Sequence, residues 1–394
     1  MIKSFKTELN PTQEQATKIR QTIGVCRFLY NHYIYINKQI YEAMKHLGLS
    51  HLKSFISGYD FDKWVNNVLS KREGYEWIKD VSSKARKQAI MNAETAYKCF
   101  FKKQSGFPRF KKRNHQDVKA YFPKNNQGDL IVERHRIKVT TLGFVRLKEK
   151  GYIPTNAVVK SATVSMKAGR YYISVLCEVM SKKILCEQGN TEGVGVDLGI
   201  KEFAVISDGR RFRNINKTKK VKRIKRKLRR QQRRLSRKYQ MKLKSKKKGE
   251  CTKNIEKQVL RVQKLHNRLL NIRNDYIYKT VDFLVKTKPE YIVIEDLNVR
   301  GMMKNRHLSR AIGEQCFSRF KEILTSKCQE HGIQLRRVNR FFPSSKMCNC
   351  CGNIKRNLKL SNRIYICDKC KYKIDRDLGA AINLAMAEEY TIIT

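Results

Sequence analysis

The sequence predicts a multidomain α+β protein: a β domain interrupted by a helical block, then a sheet whose strands carry acidic residues, with a small cysteine-rich ribbon near the end. Three observations predict it. Apolar residues recur at helical spacing through much of residues 11–104, between a first strand and a run of short β patterns. Asp197 and Glu295 lie inside short, strongly apolar strands. Four cysteines pair as Cys348/Cys351 and Cys367/Cys370.

Residues 2–8, IKSFKTE, read as the first strand. Asn10, Pro11 and Gln13 then open a helix, with Asn10 as N-cap, Pro11 at the first helical position and Gln13 three residues after the cap. Ile19, Ile23, Cys26, Tyr30 and Tyr33 follow at helical spacing, and helical patterning continues with breaks to about residue 104. From Gly106 the texture changes. Residues 107–188 are rich in short β patterns, including a hairpin that turns at Lys167, Ala168, Gly169 and Arg170. Residues 192–206, EGVGVDLGIKEFAVI, read as two buried strands joined by a tight turn.

In residues 217–248, 19 of 32 positions are Lys or Arg and none is acidic. A block of like charge is ordinarily solvated or disordered. Here Val221, Ile224, Leu228 and Leu235 keep helical spacing, which predicts a helix with one packed stripe and other faces turned to phosphate; Lys222, Arg226, Arg230 and Arg233 are its candidate contacts. A second helical run, about 252–287, places Ile255, Val259, Val262, His266 and Leu269 on one stripe. A strand at 291–295, a helix at about 314–331, a strand at 333–338 and a final helix from about 378 complete the chain. No internal repeat is visible.

Charge narrows the function. The 394 residues include 86 Lys and Arg against 34 Asp and Glu, a net +52, which opposes compaction unless a polyanion neutralises it. Nucleic acid does so, because each phosphate contact also releases condensed counterions. A membrane partner is not expected: no stretch approaches about 18 consecutive apolar residues, and the opening MIKSFKTELN has no apolar signal core. Cys26, Cys99, Cys177, Cys186, Cys251, Cys316 and Cys328 are scattered, as reduced thiols of a cytoplasmic protein are.

Cys348 and Cys351, Cys367 and Cys370 form two knuckles 15 residues apart, a spacing that brings four thiolates around one structural Zn²⁺. Cys350 is left out, since neighbouring residues rarely ligate one ion together. Lys346, Lys355, Arg356, Lys359, Arg363 and Lys369 surround the knuckles and suit a surface facing nucleic acid. Asp197 in GVGVDLG, Glu295 in YIVIED and Asp377 in IDRDLGAAINL are the candidate catalytic residues. A carboxylate ending an apolar strand is costly unless paired. An RNase H-like sheet would gather the three at one edge, where hard oxygen ligands hold two Mg²⁺ or Mn²⁺ ions for phosphodiester hydrolysis. Asp296 should face the opposite side of its strand, and Asp377 is preferred to Asp375 as the residue at the helix start.

The order of these motifs resembles the TnpB (OrfB) family of transposon-encoded RNA-guided nucleases, relatives of the type V CRISPR effectors. GVDLGI, IVIEDLNVRGMMKN, RFFPSSKMCNCCG and RIYICDKCKYKIDRDLGAAINL carry the resemblance, with NPTQEQ and GFPRFKK in the N-terminal half. It implies a β-barrel wedge domain from residues 1–10 and 105–189, a helical recognition lobe at 11–104, and a RuvC nuclease domain at 190–394 with the zinc ribbon at about 341–376. The implied partners are a guide RNA from the transposon end and double-stranded target DNA, cut beside a short adjacent motif; the oligomeric state is left open, with a monomer favoured. Lys84 and Gln88 resemble the family's motif-reading pair, while Arg109, Lys111 and Lys112 are generic phosphate contacts. Three positions depart from the family pattern: Gly379 stands where Asn is usual, Tyr278 where His precedes Lys279, and Lys371 where Gly follows the last Cys. The alternative is an RNA-guided DNA-binding protein that does not cut, acting in repression or transposon maintenance.

Overall fold

The computed structural model describes residues 1–48, 55–112, 119–179, 192–244, 253–355, 357–358 and 362–393. Arg356, Lys359, Cys186, Cys251 and the end of the basic run from residue 245 lie outside them. The chain forms two compact units, Met1–Lys182 and Lys183–Thr394. No described helix is long and apolar enough to cross a membrane.

The first unit contains β1 (Ile2–Asn10), α1 (Gln13–His46), α2 (Gly58–Asn67), α3 (Ser83–Phe101), β2 (Ala120–Pro123), β3 (Leu130–Val132), β4 (Arg136–Val139), β5 (Gly143–Leu147), β6 (Val158–Lys167) and β7 (Arg170–Glu178). Its sheet runs β2-β6-β7-β1-β5-β4-β3, with every neighbouring pair antiparallel. The β6–β7 hairpin turns through Ala168 (φ 52°) and Gly169 (φ 74°), the two left-handed residues that let a two-residue loop follow strand twist. Helix entry differs from expectation. Asn10 still pairs with Arg146 as the last residue of β1, so the cap moves to Thr12. The Thr12 hydroxyl accepts from Gln15 N (3.3 Å) and the Gln15 side-chain Oε1 accepts from Thr12 N (3.1 Å), a capping box two residues later than predicted. Leu29, Tyr33, Phe61, Ile90 and Tyr97 form a helical core, while Ile19, Cys26, Ala85 and Ala89 pack on the sheet with Phe122, Val145 and Ile173.

The second unit opens with β8 (Val194–Leu198), β9 (Glu202–Ile206) and β10 (Arg211–Arg213), then the long helices α4 (Lys219–Lys244) and α5 (Lys253–Lys286). After them come β11 (Tyr291–Glu295), α6 (Val299–Met302), α7 (Ser309–Gln315), α8 (Phe317–His331), β12 (Gln334–Val338), β13 (Ile364–Ile366), β14 (Lys373–Asp375), α9 (Arg376–Ala385) and β15 (Thr391–Ile392). The sheet order is β10-β9-β8-β11-β12-β15, parallel at β8–β11 and β11–β12 and antiparallel elsewhere. Strand alternation splits its contacts between two layers. Val196, Ile292 and Ile294 face Val281, Leu284, Phe320 and Leu324 of α5 and α8; Val293 packs with Leu384 of α9 on the other side.

Two helix boundaries correct the sequence reading. The helix expected at 314–331 is two, because Cys316 takes a left-handed conformation (φ 58°) between α7 and α8. The final helix starts at Arg376, not 378, and Asp375 is its cap: the Asp375 carboxylate accepts from Asp377 N (3.1 Å) and Leu378 N (3.2 Å). On α5, Gln258 takes the buried position between Ile255 and Val262, whereas Val259 is half-buried and His266 exposed.

Candidate active site and metal centre

The strand register places the first two carboxylates. β8 and β11 pair in parallel with Val293 opposite Gly195 and Ile294 opposite Val196, so Glu295 lies one step on, beside Asp197. Gly195 and Val293, two residues before them, face α9, and period-two alternation sends the Asp197 and Glu295 side chains to that same face. Two glycines set the third. A Cβ on Gly195 would stand 1.9 Å from Ala381 O and 2.6 Å from Ala385 N, so the α9 backbone lies directly on β8 there. A Cβ on Gly193 would meet the Tyr291 ring, whose hydroxyl donates to Ala385 O (3.3 Å). The C-terminal end of α9 therefore sits at the start of these strands, and its first turn at their ends. Asp377, one turn before Ala381, comes level with Asp197, two residues after Gly195.

The electrostatics match a carboxylate cluster. Burial first, then the Glu295 and Asp377 carboxylates, push the Asp197 acid up to about 8. Burial also raises Glu295, opposed in part by the Ser344 hydroxyl, which donates to Glu295 Oε1. Arg363 and Arg376 approach Asp377 at only 3.8 and 3.9 Å. Three acids with so little cationic compensation offer hard oxygen donors, a chemistry that fits divalent ions such as Mg²⁺ or Mn²⁺. A cavity of about 650 Å³ opens beside Glu295, lined by Leu198, Asn298, Phe317, Lys321 and Arg340 among others. Asp296 points elsewhere, to Arg337 (3.4 Å) and Arg340 (3.0 Å).

The thiols of Cys348, Cys351, Cys367 and Cys370 all lie within 4.8 Å of one another. Cys348–Cys370 and Cys351–Cys367 sulfurs are 3.6 and 3.5 Å apart, near the edge length of a tetrahedron with metal–sulfur bonds of about 2.3 Å. The Cys370 backbone N–H heads the groups that lower the Cys367 thiol to about 6. Cys370, although the Tyr372 N–H favours its thiolate, is pushed up to about 12 by burial and the other three thiols. Such crowding is relieved by a cation at the centre, and four thiolates with no open position suit Zn²⁺. Cys350 is exposed and outside the cluster.

The predicted basic contacts fall into two groups. Lys222, Arg226, Arg230 and Arg233 are all exposed on α4, opposite the stripe of Val221, Ile224 and Leu228 that packs on Val262 and Leu269 of α5. Buried Gln258 donates to Gln231 O and Oε1 (both 2.9 Å), fixing the register of the two helices. Glu314 holds the pair to α7 through Lys225 (2.5 Å) and Arg273 (3.8 Å). In the first unit, Lys84 pairs with Asp129 (2.5 Å) and Gln88 donates to Asn92 (3.0 Å) one turn further along α3. Arg109 is exposed, and the Lys111 ammonium lies over the Tyr30 ring at 5.3 Å. Sequence reasoning missed Ser344; its signal was the PSS triplet just before the first knuckle.

Comparison with known proteins adds three family models: "Probable transposase" over residues 174–306, "Cas12f1-like, TNB domain" over 317–384, and "Helix-turn-helix domain" over 1–46. Residues 1–46 here form one strand and one 34-residue helix. A protein of Escherichia coli (strain K12), "Putative RNA-guided DNA endonuclease InsQ", is 31% identical over 98% of this chain and 92% of its own length. A Streptomyces pristinaespiralis protein with the same designation, without the InsQ label, is 30% identical over 98% of this chain and 89% of its own. In a cryo-EM structure of the Cas12f1–sgRNA–target DNA complex, the protein matches with a TM-score of 0.55 at 14% identity, covering 96% of this chain and 84% of that one, a likeness of fold.

Proposed function

This chain belongs to the TnpB (OrfB) family, and we propose that it is an RNA-guided DNA endonuclease that cuts with Asp197, Glu295 and Asp377. The observation that carries the reading is the convergence of three acids from β8, β11 and α9 at one end of the sheet, in an RNase H-like strand order. Two divalent ions, when bound, would activate a water and stabilise the leaving 3′ oxygen. Asp197, raised by burial and then by both other acids, would hold the ions together with Glu295 and Asp377. Ser344 holds Glu295 in one orientation, and Lys321 and Arg340 at the cavity rim would steer a phosphate backbone toward the acids. The four thiols would hold a structural Zn²⁺ that ties the ribbon to α9.

The +52 charge suits a chain assembled on its guide, with Lys222, Arg226, Arg230 and Arg233 lying along phosphates. Residues 1–10 and 105–189 would act as the wedge, 11–104 as the recognition lobe and 190–394 as the nuclease. Lys84 would read the target-adjacent motif by exchanging Asp129 for DNA, with Gln88 beside it. All three acids are present, which favours cutting over guided binding alone. The test is to purify the protein expressed from its own locus, sequence the co-purifying RNA and offer matching DNA with Mg²⁺. One bound RNA from the flanking element and cleavage only of matching DNA is the expected result. Bound RNA without cleavage would leave the guided binder, and no specific RNA would refute guidance.

A further inference from the structure

A short chain of side-chain hydrogen bonds joins the first thiol knuckle to two of the three elements that carry the acids, β11 and α9. Asn383 is 2% exposed on α9, among the buried Ala380, Ala381 and Leu384. Its Nδ2 donates to Ser344 O (2.7 Å) and Met347 O (2.8 Å). Its Oδ1 accepts from Asn349 Nδ2 (2.7 Å), and the same Nδ2 donates to Gly379 O (2.9 Å). Asn349 follows the buried thiol of Cys348 directly. Ser344, 5% exposed, turns its hydroxyl the other way, onto Glu295. The glycine at 379 is part of the arrangement: a Cβ there would stand 3.0 Å from Asn349 Oδ1 and 3.2 Å from Ile374 Cγ2. Gly379 thus leaves room for the knuckle to close on the helix that carries Asp377.

An amide inside an apolar helix face is costly unless its groups are bonded, and Asn383 finds its partners on the 344–349 loop. Attaching a ribbon to a helix needs only apolar packing. Directional hydrogen bonds fix one geometry as well, which packing alone does not, even though Asn349 Oδ1 is buried without a hydrogen-bond partner. We infer that Ser344, Asn349 and Asn383 are positioning residues that couple the thiol-held knuckle to the relative placement of Glu295 and Asp377. The inference rests on the proposed role of those acids. Loss of the knuckle's metal would release Asn349, then Ser344, and leave Glu295 free to turn away from Asp197.

The experiment uses the full-length protein with its RNA and measures four things: zinc content, thermal stability, Mn²⁺ affinity by EPR without DNA, and cleavage of matching DNA. Ser344→Ala should keep zinc and DNA binding, and weaken both Mn²⁺ affinity and cleavage about 10- to 100-fold. Ser344→Thr, which keeps the hydroxyl, should restore both. Asn349→Ala should keep zinc and weaken Mn²⁺ affinity several-fold, by disconnecting the knuckle. Lower thermal stability with wild-type Mn²⁺ affinity in both alanine variants would overturn the inference and leave a purely structural network. Asp197→Ala separates the two levels. If it abolishes Mn²⁺ binding while the alanine variants at 344 and 349 do not weaken it, only the coupling fails; if it cuts like wild type, the acids are not the site and the coupling falls with them.

Discussion

The thiol cluster and the carboxylate cluster share one unit yet solve opposite problems. Four sulfurs at tetrahedral spacing close around a centre and leave nothing for a substrate. Three acids at the end of a sheet repel one another and open onto a cavity, so any ion they hold keeps positions for water and phosphate. The first gathers its ligands from a short segment and depends on local turns. The second gathers them across residues 197–377, so its geometry depends on how α9 lies on β8. A site built to fold can be local; a site built to react here depends on the whole sheet.

The comparison makes predictions that differ in size. Replacing Cys348 and Cys351 by Ser should cost the second unit several kcal/mol, about 10 °C in melting temperature; normal zinc-free stability by calorimetry would show that the thiols do not hold a structural metal. Gly195→Ala should act on the other site. Its methyl would strike the Ala381 backbone, and overpacking of this kind costs about 1–3 kcal/mol. It should move Asp377 away from Asp197, so metal-dependent cleavage should fall about tenfold, the factor that about 1.4 kcal/mol of barrier represents, with zinc content intact. Equal loss of zinc and cleavage would mean the two sites are not separable in this way.

The smallest effect is on pH. Asp197 holds its proton up to about 8 in the folded chain, against an ordinary value of 3.8. Between those values the folded chain keeps a proton that the unfolded chain has released, so this group makes metal-free stability fall as pH rises. Mn²⁺ must displace that proton. Calorimetry in buffers of different ionisation enthalpy should therefore show proton release on Mn²⁺ binding at pH 7, and Asp197→Asn should remove it.

Much of the site was legible because its signals are local. The apolar strands around Asp197 and Glu295, the double knuckle, and the Lys167–Arg170 hairpin all depend on neighbours in sequence. What sequence missed was set by distant partners. Asn10 looked like a cap, but pairing with Arg146 keeps it in β1 and Thr12 caps instead. Nothing in the helical pattern at 314–331 announces the left-handed Cys316. The sequence points to Asp377 rather than Asp375 as the helix opener; the structure makes Asp375 the cap and leaves Asp377 beside the other acids. Gly379 read as a lost amide until Asn349, 30 residues earlier, was found against it.

The most direct measurement follows binding and cutting of guide-matched DNA in the same reaction, for the wild-type complex and for Asp197→Ala. Removing one metal ligand and no phosphate contact should leave binding within about twofold and lower the cutting rate about a thousandfold or more, several kcal/mol of barrier. Cutting at the wild-type rate by the Asp197→Ala complex would contradict the account, since the reaction would then not depend on the acids where β8, β11 and α9 meet.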